Sequence, residues 1–149
     1  MIHTRTALAG CLLASALALG ACSMTPMTPT SRAMMARLYG ASEVPPTSSR
    51  ASGTADVNLN RQTNVLSWTV TYSGLTGPAT GGHFHGPAVA GQNAGVVVPF
   101  TGGLASPIHG MATITPAQAA DLVEGKWYVN LHTATHPGGE IRGQVSVHP

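Results

Sequence analysis

Charge is scarce in this chain: of 149 residues, only 8% are Asp, Glu, Lys or Arg. Seven Lys and Arg against five Asp and Glu leave it near neutral, with no basic run, which argues against nucleic acid as a partner. Only two cysteines occur, Cys11 and Cys22, both near the start. The remainder therefore holds no internal disulfide, and its stability has to come from packing. Paired carboxylates, a nucleophile with its base and a phosphate-cradling glycine loop are all missing, so no catalytic residue is assigned. Long apolar runs are also missing, apart from one at the N-terminus. What is plentiful is turn material, 18 glycines and 11 prolines, set between β-branched and aromatic runs. That mixture, in a chain long enough for one domain, indicates an all-β fold.

Residues 1–21 combine a short basic start (His3, Arg5) with an apolar run from Ala7 to Leu19. This is the pattern of a secretory signal peptide, too short for a comfortable membrane span. It ends Leu19-Gly20-Ala21-Cys22, which resembles the bacterial lipoprotein cleavage box. The resemblance implies that Cys22 becomes the acylated first residue of an exported, membrane-anchored protein. Each buried methylene contributes about 0.8 kcal/mol, so several acyl chains anchor firmly. In a Gram-negative host, Ser23 after the cysteine implies the outer membrane, facing the periplasm. Residues 22–36 are rich in Thr, Pro, Met and Ser without periodicity and are expected to be a flexible tether. The domain is expected to occupy residues 37–149.

Within it, Ser52–Leu59 and Val65–Tyr72 alternate apolar and polar residues around the turn Asn60–Asn64, a clear hairpin with Trp68 as a candidate core centre. Ser73 to Gly82 looks like turn material. Val96–Phe100 and Ile108–Ile114 are expected strands. One short helix is expected after Thr115, where Thr115 and Gln118 form a capping box, Pro116 takes the first helical position and Gly125 ends it.

Chemistry concentrates in WYVNLHTATHPGGEIRGQV, Trp127 to Val145. Trp127, Val129 and Leu131 alternate with Tyr128, Asn130 and His132, and Ile141 and Val145 alternate with Glu140, Arg142 and Gln144. Matching the two faces predicts a register with His132 opposite Glu140, Asn130 opposite Arg142, and Tyr128 opposite Gln144. The polar row would then face outward, and Glu140 would accept the second N–H of His132, as carboxylates behind metal-bound histidines do. His83-Phe84-His85, if extended, places two imidazoles on one side, roughly 6.6 Å apart at Cα, and Phe84 on the other.

GASEVPP at Gly40–Pro46, HFHGPA at His83–Ala88, TPAQAADLVEGKWYVNLHT at Thr115–Thr133 and HPGGEIRGQV at His136–Val145 together resemble the chordin-type (CHRD) domain family. The match runs from about Leu38 to Val147. It implies an immunoglobulin-like or superoxide-dismutase-like Greek-key β-sandwich with one short helix, in a family without a settled activity.

Three functional readings follow. In the first, His83, His85 and His132, with His136 or His109 as possible additions, bind copper, or else zinc, with Glu140, Arg142 and Asn130 behind them. In the second, the same histidines only hydrogen-bond the scaffold, and the polar row contacts a protein partner. The third is a copper-dependent, dismutase-like enzyme with Arg142 as the guiding cation. Against it, residues 86–115 contain only His109 and no aspartate for a zinc subsite.

Overall fold

The structure is a computed structural model that describes residues 30–147. The expected signal peptide, the expected acylation site at Cys22 and the first part of the expected tether lie outside the described residues.

Nine strands and one helix follow in order: β1 (Ser31–Tyr39), a 3-10 turn (Gly40–Ser42), β2 (Ser52–Asn60), β3 (Val65–Ser73), β4 (Ala79–His85), β5 (Val96–Pro99), β6 (Ile108–Thr113), α1 (Pro116–Val123), β7 (Tyr128–Thr133), β8 (Ile141–Gln144) and β9 (Ser146–Val147). The all-β expectation holds. The strands join in one antiparallel sheet of order β5-β4-β7-β8-β1-β2-β3-β6, with β9 beside β1. The segment after β5 bridges the two edges: Phe100 N–H donates to the Gly82 carbonyl, and Tyr72 Oη–H donates to the Leu104 carbonyl. The sheet thus nearly closes on itself.

The inner face follows from period-two alternation. Met34, Ala36 and Leu38 of β1, Val57 and Leu59 of β2, Leu66, Trp68 and Val70 of β3, and Val129 and Leu131 of β7 all point into one core. Trp68 sits at its centre, stacked on Phe100 with centroids 5.2 Å apart and edge-on to Phe84 at the same distance. Rings buried in this way contribute several kcal/mol each. The helix covers the core with Ala119 and Leu122. Its expected capping box is present in both directions: Thr115 N–H donates to Gln118 Oε1, and Gln118 N–H donates to Thr115 Oγ1.

Two boundaries differ from expectation. β1 begins at Ser31, six residues before the expected domain start at Arg37, because SRAMMA pairs residue for residue with β2 from Ser31↔Asn60 to Tyr39↔Ser52. Its alternation is disguised by small and polar residues. Met34 is in the core, so the two adjacent methionines fall on opposite faces. β4 likewise begins at Ala79, inside the stretch expected to be turn: Gly81 and Gly82 pair with His132 and Leu131 of β7 but carry no side chains to reveal the alternation.

A histidine cluster on strands β4 and β7

His83 and His85 project from one face of β4 while Phe84, fully buried, packs on the other. The neighbouring β7 sets Asn130 opposite His83, Tyr128 opposite His85, and His132 opposite Gly81. Glycine at 81 leaves the space above it to two imidazoles: a Cβ there would lie 3.3 Å from the His83 ring and 3.5 Å from that of His132. His83 Nδ1 and His132 Nε2 are 3.1 Å apart, and one ring nitrogen from each of His83, His85 and His132 falls within 4.8 Å of the other two.

Backbone carbonyls fix two of the three rings. His85 Nδ1–H donates to the Ala94 carbonyl at 3.0 Å, and His132 Nδ1–H donates to the Pro137 carbonyl at 3.0 Å. A carbonyl only accepts, so each ring carries its proton on Nδ1 and keeps its Nε2 lone pair free. His132 Nε2 accepts from His83 Nδ1–H. His85 Nε2 is buried and has no partner. Burial, followed by the neighbouring histidines His132 and His85, lowers the pKa of His83. Burial also lowers that of His85, against the Ala94 hydrogen bond. Both rings are therefore neutral near pH 7, the form that ligates metal.

The geometry suits an ion. Two nitrogens bound at about 2.0–2.1 Å, with an angle between a right angle and a tetrahedral one, lie roughly 2.9–3.4 Å apart. The His83–His132 pair already has that separation.

The polar row beyond the histidines is not outward. Tyr128, Asn130, Glu140 and Arg142 are all buried. Residues 86–95 fold over this face: Tyr128 Oη–H and His85 Nδ1–H both reach the Ala94 carbonyl, and Arg142 donates to Asn93 Oδ1 at 2.9 Å and to the Gln92 carbonyl. Tyr128 lies between His85, stacked parallel at 4.8 Å, and the Arg142 guanidinium, 3.4 Å over its ring. Arg142, 2% exposed and bonded to Asn93 and Gln92, is not the outward-facing cation that was expected.

Glu140 also departs from its expected place. The register holds from Tyr128↔Gln144 to Leu131↔Ile141, but then Glu140 N–H donates to Leu131 O, one residue out of step. This shift turns the carboxylate away from His132. It accepts instead from Ser49 Oγ (2.7 Å), Thr76 N (2.9 Å), Thr76 Oγ1 (2.8 Å) and Thr133 Oγ1 (2.7 Å). Burial alone would raise its pKa, but the bonds from Thr133, Ser49 and Thr76 outweigh that and hold it below the ordinary range. Glu140 is a scaffold knot, not a partner of the histidines.

His136 and His109 do not join the cluster. The backbone of His136 forms the turn with Thr133, and the His109 ring meets Thr69 at 3.1 Å on β3. A buried carboxyl not expected to have a role, Glu43 of the GASEVPP motif, lies beside Asn130 and Arg142. It is 5% exposed, its Oε1 has no partner, and burial, opposed by the charge of Arg142, pushes its pKa up to about 7. Gly139, at φ +129°, keeps the space beside it open: a Cβ there would lie 2.5 Å from Glu43 Oε1 and 2.9 Å from Asn130 Nδ2.

Searches of curated proteins and of solved structures return no significant match. A family model, the CHRD domain, matches residues 34–145, about three-quarters of the chain. Its match begins within β1 and ends just before β9, enclosing the whole histidine cluster. The chain belongs to the CHRD-domain family.

Proposed function

We propose that this protein is an exported, lipid-anchored metal-binding module in which His83, His85 and His132 hold a transition metal, copper before zinc. The observation that carries the reading is His85 Nε2, a buried lone pair with no partner, in a cluster where one ring nitrogen from each of His83, His85 and His132 lies within 4.8 Å of the other two. Leaving a buried acceptor unsatisfied costs about 1–3 kcal/mol, a cost that a bound ion removes. Copper is placed first because an all-imidazole set suits copper(II), which binds a given nitrogen site more tightly than zinc does. The signal peptide and Cys22 support anchoring at a membrane surface, the outer membrane in a Gram-negative host.

Elemental mass spectrometry of the full chain, after titration with copper or zinc and desalting, tests this. The expected result is one retained equivalent in wild type, lost in a His85→Ala variant whose circular dichroism is unchanged. Equal retention by wild type and by His83→Ala, His85→Ala and His132→Ala overturns it, as does a folded wild type that retains none.

A further inference from the structure

We infer that Asn130 supplies the fourth ligand, through Oδ1, making the site a three-nitrogen, one-oxygen centre with Glu43 as the residue that orients the amide. This rests on the metal-binding reading above and goes further, because nothing in a three-histidine cluster requires an oxygen donor.

Asn130 is 3% exposed, on the same face of β7 as His132 and directly across the ladder from His83. Its Oδ1 lies 3.1 Å from His132 Nε2, the same separation that His83 Nδ1 keeps from that atom. His83 Nδ1 and Asn130 Oδ1 thus flank His132 Nε2, with a ring nitrogen of His85 within 4.8 Å of one on each of the other two histidines. Because the His132 proton sits on Nδ1, facing the Pro137 carbonyl, the neutral ring turns a lone pair towards the amide oxygen. Two acceptors face each other there, and a cation between them turns repulsion into attraction. The other end of the amide explains the orientation. Asn130 Nδ2 shares the small space over Gly139 with Glu43 Oε1, an acceptor without a partner. With its Nδ2 end on the Gly139 side, where Glu43 also lies, the amide presents its oxygen to His132. A carboxylate one step behind a ligand that it orients is a common feature of metal sites, and removing such a partner typically costs 10–100-fold in affinity. Glu43 is a positioning residue in this sense: it stands across Gly139 from the N–H end of the amide, with no direct hydrogen bond to it in this structure.

The test uses the full chain with copper(II), read by equilibrium competition and by electron paramagnetic resonance, with a His83→Ala/His132→Ala double variant as the baseline for copper bound elsewhere. Asn130→Leu should weaken binding above that baseline about 10-fold or more and change the copper hyperfine pattern to that of a centre lacking the oxygen donor. Asn130→Asp keeps the shape and adds a charge, so it should bind more tightly than wild type with a shifted spectrum. That variant serves if Asn130→Leu does not fold. Glu43→Gln should move the spectrum less than either, which a merely structural role would not do. Wild-type affinity and spectrum in both Asn130 variants overturn the inference while leaving the three-histidine site standing. Wild type that binds no more copper than the double variant overturns both.

Discussion

In a Glu140→Ala variant four donors lose their acceptor at once, Ser49 Oγ, Thr76 N, Thr76 Oγ1 and Thr133 Oγ1. Hydrogen bonds to a charged group contribute about 1.5–3 kcal/mol each, net of water. Four of them do not simply add, because they share one carboxylate and the hydroxyls can turn to other partners. The Thr76 amide has no such freedom, and the knot joins three separate segments. A loss of about 3–5 kcal/mol follows, which in a domain of this size is a fall in Tm of roughly 10–20 °C. Glu140→Gln retains an acceptor oxygen and should lose about 1–2 kcal/mol. The sign with pH is fixed by the lowered pKa. The contribution is complete above the ordinary carboxyl value of 4.5 and is lost as pH falls through the folded value. Wild type and Glu140→Ala should therefore converge in stability in acid. Urea denaturation at pH 7 and at about pH 3 measures both. A Glu140→Ala protein within about 1 kcal/mol of wild type at pH 7 refutes the reasoning. So does a Glu140→Gln protein that is stable yet has lost the metal site, since that would restore the carboxylate to His132.

Glu43 works in the opposite direction. Its folded pKa of about 7 lies above the ordinary 4.5, so its protonated form is favoured by folding and stability should fall as pH rises between those values. The full shift corresponds to about 3 kcal/mol, and solvent and relaxation at the adjoining cleft reduce this to about 1–2 kcal/mol. Glu43→Gln should remove that slope and exceed wild type in stability at pH 8, which urea denaturation at pH 5 and pH 8 checks; an unchanged slope counts against the burial argument. Thr115→Ala removes the Oγ1 acceptor of the Gln118 N–H while leaving the Thr115 N–H to Gln118 Oε1, and should cost about 1 kcal/mol, read as a Tm lowered by a few degrees with metal content unaltered.

Where local pattern carries the information, the sequence was readable. The β2–β3 hairpin, the helix with its cap and the placement of His83 and His85 on one face of β4 all follow from alternation or spacing within a few residues. The register of β7 on β8 was also legible over Tyr128–Leu131, because a slip would have buried Asn130 in the core. It failed one residue later, where Glu140 is drawn to Ser49 and Thr76, residues 91 and 64 positions away. The start of β1 was hidden for a related reason: a strand of small residues and methionines shows its alternation only against the partner that pairs with it. The burial of Arg142 depends on how residues 86–95 travel, which no periodicity encodes. Glu43 was passed over because it precedes two prolines in a segment without ladder partners, and only the fold brings it beside Asn130. One signal was present: a lone acidic residue amid apolar and small neighbours in a chain with so few charges.

β1, the first strand, sits in the interior of the sheet, with β2 on one side and the last two strands on the other. A chain emerging N-terminus first cannot complete that sheet until its final residues are free, and pairings of such long sequence separation form late. The cluster waits too, since His132 joins His83 only when β7 docks on β4. If the proposed site holds an ion, capture follows the docking of β7, so the metal pool present when folding ends decides which ion that is.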